Sequence, residues 1–262
     1  MLILLLLILG LAIGSFLNVL IDRIPNNESP FKGRSYCDKC KKTLKWHDLI
    51  PLVSYLYLKG KCRYCRAHIS FYYPLVELIT GVMFVIVYKF TISTIELPFS
   101  NIIIGYLYYL LIFSCFIVIF FTDLKYGIIL DKIIYSAIVV SLIYHFSTLS
   151  YQLSAVNYLA SGLGAFIFFF VLYLTTRGKG MGFGDVKLAF LLGIILGFPK
   201  IIIAFYLAFL TGAIVGSILI IWGKKKLKGG TIPFGPFLII GAVLSLSFGE
   251  KIIHMVLPWL SF

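Results

Sequence analysis

In the stretch "RGKGMGFGDVKLAFLLG", Arg177 to Gly193, glycines and one aspartate stand where a long apolar run begins. Asp185 is one of only ten acidic residues in the chain. Five others, Asp22, Glu28, Asp38, Asp48 and Asp131, fall in polar loops or at their edges, and Glu96 and Glu250 fall on the far side of the topology derived below. Glu77, Asp123 and Asp185 remain. Asp123 closes an apolar run in "IVIFFTDLKYG" as Asp185 opens one in "GMGFGDVKLAF". An ionisable group at a membrane edge is costly and is by default a functional candidate. Two carboxylates at one depth suit acid–base hydrolysis, because close carboxylates cannot both ionise: one stays protonated while the other takes a proton from water. The structural alternative is that Asp185 is an N-cap, with Gly182 and Gly184 giving the chain its turn, and that Asp123 caps the connection "DLKYG".

The second constellation is "CDKC" (Cys37, Cys40) and "CRYC" (Cys62, Cys65), with 21 residues between the pairs. Each CxxC can form a tight knuckle that aims two sulfurs at one ion, so four thiolates read as a structural zinc site. Disulfides would need an oxidising compartment, and a redox CxxC leaves the second pair unexplained. His47 and His68 lie nearby but are not needed as ligands. Cys115, alone in an apolar segment, reads as a small buried hydrophobe. A loop domain this small has little core, so metal binding supplies much of its folding free energy.

The elements that must position these groups follow from composition. Of 262 residues, 61% are hydrophobic and 13% charged, with a mean hydropathy of +1.03, which excludes a soluble globular domain. The pattern is that of an all-α polytopic membrane protein. About 20 helical residues cross the hydrocarbon core, and eight segments qualify, roughly 1–21, 72–90, 101–122, 131–149, 155–175, 186–199, 201–222 and 233–257. The sixth is short, and Pro199 breaks the run from Val186 to Trp222 into an expected tight helical hairpin. The opening segment lacks a basic n-region and a small-residue cleavage site and is expected to be a retained first span. Ser15 and Asn18, on one face of it, are expected to hydrogen-bond to a neighbouring helix.

Three regions result: a first span over 1–21, a cytoplasmic zinc-binding loop over 22–71 and a helical bundle over 72–262. Of the 23 Lys and Arg, 11 fall in 22–71, 2 in 123–132, 3 in 176–187 and 4 in 223–232, against Lys89, Lys200 and Lys251 in the alternate connections. The positive-inside rule therefore puts the loop and both aspartates on the cytoplasmic side and both termini outside. The net charge of +13 is accounted for by topology and anionic lipid head groups, with no need of nucleic acid.

Together these residues resemble the type IV prepilin peptidases, membrane aspartyl proteases of the GxGD class. The resemblance rests on "GSFLNVLIDRIP", the paired "CDKC" and "CRYC", "YYPLVELITG", "FTDLK", "GMGFGDVK" and "IPFGPFLIIG", in the family's order. It implies a bacterial inner-membrane enzyme that removes the leader from prepilin or pseudopilin precursors on the cytoplasmic side, just before their hydrophobic helix. It assigns the catalytic pair to Asp123 and Asp185, and it implies N-methylation of the new amino terminus with S-adenosylmethionine, an activity associated with the cysteine loop. Asp38 and Arg63 stand where family members often carry proline. Lys125 and Lys187, each two residues beyond an aspartate, could tune its acidity or hold lipid phosphate. Glu77 could contact substrate or methyl donor, or hydrogen-bond within the bundle. The competing reading is a zinc-stabilised membrane scaffold or transporter, which leaves the paired aspartates beside a GxGD turn unexplained.

Overall fold

A computed structural model describes residues 1–94, 99–148, 152–222 and 233–256. Among these the helices are α1 (Leu2–Arg23), α2 (Val53–Tyr57), α3 (Tyr72–Thr94), α4 (Phe99–Tyr126), α5 (Asp131–Thr148), α6 (Gln152–Thr175), α7 (Phe183–Leu196), α8 (Lys200–Ile221) and α9 (Gly235–Val256). No strand occurs among the described residues, and the loop between α1 and α3 carries only two isolated bridges. Glu96 and the lysines at 224, 225, 226 and 228 lie outside the described residues.

Among the described residues six helices, α1, α3, α4, α6, α8 and α9, are long and apolar enough to cross a membrane. The other two expected spans fall short of that measure. Helix α7 has 14 residues, about 21 Å at the helical rise against a core of about 30 Å. It is apolar nearly all round, and ten of its residues are buried. Such a helix belongs to the interior of a bundle rather than to a lipid boundary.

The chain divides into two compact units, Met1–Val118 and Ile119–Phe262. In the first, α1 packs along α3 at glycine crossings. A Cβ on Gly10 would come within 2.8 Å of Gly81 Cα, and one on Gly14 within 2.7 Å of Glu77 Cα, so the absence of side chains lets the backbones touch.

In the second unit α7 packs chiefly on α6, and α8 on α9. The first contact has the same physics: a Cβ on Gly193 would lie 2.6 Å from both Gly162 Cα and Ser161 O. The turn at Pro199 forms as expected, but α7 and α8 part beyond it instead of making a tight hairpin, because each finds a better-fitting neighbour. At that end Asn157 Nδ2 donates to Phe198 O (3.2 Å), Ser245 Oγ donates to Lys200 O (2.7 Å), and Lys200 pairs with Glu250 (2.7 Å). The C-terminus of α4 and the N-termini of α7 and α9 gather at the other end.

Candidate active site and metal centre

The two cysteine pairs fold into the same knuckle twice. In the first, Cys37 N–H donates to Lys42 O (3.0 Å) and Lys41 N–H to Cys37 O (2.8 Å). In the second, Cys62 N–H donates to Ala67 O (2.8 Å) and Arg66 N–H to Cys62 O (2.9 Å). The residue after each second cysteine turns left-handed, Lys41 at φ 55° and Arg66 at φ 56°. One antiparallel bridge closes each knuckle, Tyr36 with Thr43 and Lys61 with His68.

The four sulfurs lie within 4.8 Å of one another, and those of Cys37 and Cys65 are 3.8 Å apart. A tetrahedral zinc with Zn–S bonds of about 2.3 Å requires sulfurs about 3.8 Å apart, whereas a disulfide requires about 2.05 Å. The donor set therefore fits zinc and all four cysteines are free.

Asp48 ties the two knuckles together. It accepts from Lys45 N–H (3.1 Å), Arg63 Nε (2.6 Å) and the Tyr64 hydroxyl (3.2 Å). Burial pushes its carboxyl up, but the Arg63 bond, the backbone bond and the Arg63 charge outweigh that and hold it below the usual carboxylate range. Arg63, which the resemblance marks as a departure, has a structural task here.

Glu77 faces the loop from inside α3. It is buried, and its Oε2 accepts the N–H of Leu52 at 2.9 Å. Leu52 has the uncommon φ of 59°. Asn18 Nδ2 of α1 donates to Tyr73 O of α3 at 3.1 Å, so this polar residue of α1 finds a neighbouring helix as expected.

In the second unit Asp123, near the C-terminus of α4, and Asp185, in α7, are both buried and lie close enough for their charges to act on one another. Asp185 is not the N-cap of α7. Gly182 is, and Asp185 is the third helical residue, reaching back so that its Oδ2 accepts the Gly182 N–H at 3.1 Å. Asp123 Oδ2 accepts the N–H of Gly235, the first residue of α9, at 3.0 Å. Each carboxylate thus sits at a helix N-terminus, where unpaired N–H groups and the helix dipole favour negative charge.

Ile129 packs beside Gly184 and Gly235. A Cβ on Gly184 would meet Ile129 Cβ at 2.9 Å, and one on Gly235 would meet Asp123 Oδ2 at 2.6 Å and Ile129 Cδ1 at 3.4 Å. The missing side chains let Ile129 close on Gly184, and the Asp123 carboxylate close on Gly235. Gly235 has no role in the sequence reading, although "IPFGPF" signalled a turn into a helix. Lys187 reaches neither aspartate: its Nζ pairs with Asp131 at 2.7 Å and lies over the Tyr135 and Phe183 rings. Lys125 lies over the Tyr126 ring.

Residues 8–90 match the bacterial peptidase A24 N-terminal domain, and residues 110–217 match the type IV leader peptidase family. A prepilin leader peptidase/N-methyltransferase of Bacillus subtilis (strain 168) is 32% identical over 251 residues, 94% of each chain. Proteins of the same name from Legionella pneumophila and Neisseria gonorrhoeae are 31% and 30% identical, covering 94% and 97% of this chain and 91% and 93% of their own. No solved structure matches. Matched along nearly its whole length and at both constellations, the chain belongs to the type IV leader peptidase family.

Proposed function

We propose that this protein is an aspartyl endopeptidase of the bacterial inner membrane that removes leader peptides from prepilin or pseudopilin precursors and then methylates the exposed amino terminus. The observation that carries the reading is the burial of Asp123 and Asp185 together, each held by an N–H at a helix N-terminus. Family membership and the names of the relatives support the same activity.

In the proposed mechanism one carboxylate, as general base, takes a proton from a water molecule as its oxygen adds to the scissile carbonyl. The other, as general acid, protonates the leaving amine as the tetrahedral intermediate collapses. The Gly182 and Gly235 N–H groups each bond one carboxylate oxygen and fix the orientation of the two carboxylates. Lys187 holds α7 to α5 through Asp131. The charge distribution supports a cytoplasmic placement for this end of the helices and for the cysteine loop.

Cys37, Cys40, Cys62 and Cys65 would hold zinc in a closed structural site, with no open position for a reacting ligand. S-adenosylmethionine would supply the methyl group for the second activity. The test is precursor cleavage in proteoliposomes with Asp123→Asn and Asp185→Asn. Asparagine keeps shape and hydrogen bonding but cannot titrate, so cleavage should collapse in each single variant while zinc content is retained. The double variant should be hardly worse, as residues acting as a unit are non-additive. Near-normal cleavage by either single variant would overturn the assignment.

A further inference from the structure

The loop between α1 and α3 contains a short helix with its apolar side turned outward. In α2, Val53, Leu56 and Tyr57 share one face at helical spacing and are 60%, 72% and 77% exposed. The opposite side is occupied: Tyr55 donates to Ile69 O (3.4 Å) and its ring meets that of Phe71. A soluble loop would normally turn these faces the other way, and outward apolar residues clustered like this mark an interaction surface.

The depth of α2 identifies the partner. Leu52, immediately before it, is hydrogen-bonded to Glu77, and Glu77 lies five residues past the start of the span Tyr72–Ile92. At the helical rise this is about 8 Å below the top of α3, within the depth of about 5–10 Å at which interfacial amphipathic helices lie. Phe71 and Trp46, also exposed, suit the same boundary. Charge completes the argument. Residues 41–71 carry seven Lys and Arg against Asp48 alone, and Asp48 is taken by Arg63. Lys45, Lys59 and Lys61 are exposed around α2. A cationic partner is repelled by such a surface, and phosphate is attracted.

We propose that α2 is an interfacial foot: Glu77 holds it at the level of the lipid glycerols, Val53, Leu56 and Tyr57 insert among the upper acyl chains, and Lys45, Lys59 and Lys61 contact anionic head groups. The foot seats the cysteine knuckles on the bilayer surface in a set pose.

The test places a single reporter, Leu56→Trp, in a full-length chain whose Trp46, Trp222 and Trp259 are phenylalanine. The protein is reconstituted in vesicles of phosphatidylglycerol and phosphatidylcholine, with zinc content as the measure of an intact loop. Lipids brominated at upper acyl carbons should quench the reporter strongly and aqueous acrylamide weakly, with the order reversed for Lys39→Trp in the first knuckle. Glu77→Leu, or Lys59→Glu with Lys61→Glu, should shift the Leu56→Trp reporter toward acrylamide. In unmodified protein, a photoactivatable phospholipid should leave adducts within 50–58. Acrylamide quenching without bromine quenching would overturn the proposal. So would shielding of the reporter that arises only when precursor or a second copy of the chain is added.

Discussion

Gly235→Ala tests how closely the position of Asp123 matters. The added Cβ would lie 2.6 Å from Asp123 Oδ2, so the carboxylate must retreat about 0.8 Å to reach ordinary contact. The Gly235 N–H to Oδ2 distance, 3.0 Å now, would then be about 3.8 Å, beyond hydrogen-bonding range. A hydrogen bond to a charged group is worth about 1.5–3 kcal/mol, which is a rate loss of about 10- to 150-fold if the bond orients the reacting carboxylate. A misplacement approaching 1 Å is independently expected to cost about 100-fold. The assay is the rate of precursor cleavage in proteoliposomes, with zinc content as the folding control, since the cysteines lie in the other compact unit. Undiminished cleavage at full zinc content would refute the reasoning: Asp123 would then act without its Gly235 bond, or not act at all.

Cys37→Ser or Cys62→Ser should release zinc, loosen residues 22–71 to added protease, and reduce methylation more than cleavage; parallel loss of both activities would make the loop a general folding requirement. Asp48→Asn should speed zinc loss to a chelator at neutral pH. Because the folded carboxyl is held below its ordinary value, this difference from the unmodified loop should be present above about pH 4 and shrink as pH falls further, and an unchanged difference in acid would contradict it. Gly193→Ala should lower the unfolding temperature in detergent, because its Cβ meets the backbone of Gly162 and Ser161 at 2.6 Å and overpacking that cannot relax costs about 1–3 kcal/mol.

What the sequence determined by itself was local or compositional. Each knuckle closes through hydrogen bonds within six residues, as between Cys37 and Lys42, so CxxC spacing alone was enough to read it. Apolar runs placed the helices because hydrocarbon leaves the backbone no other partner than itself. The scarcity of acidic residues narrowed the candidates to Glu77, Asp123 and Asp185, and six short stretches in order named the family. Tertiary structure decided the rest. An apolar run does not say whether its helix faces lipid or other helices, so the interior place of α7 became visible only with its neighbours. The cation two residues after Asp185 has its partner 56 residues away in Asp131, because adjacent positions on a helix do not face each other. The N–H that orients Asp123 comes from Gly235, 112 residues along the chain, and Glu77 meets the backbone of Leu52, not a side chain whose type could have announced it. Backbone donors look the same in every residue, and only folding selects which one meets a carboxylate.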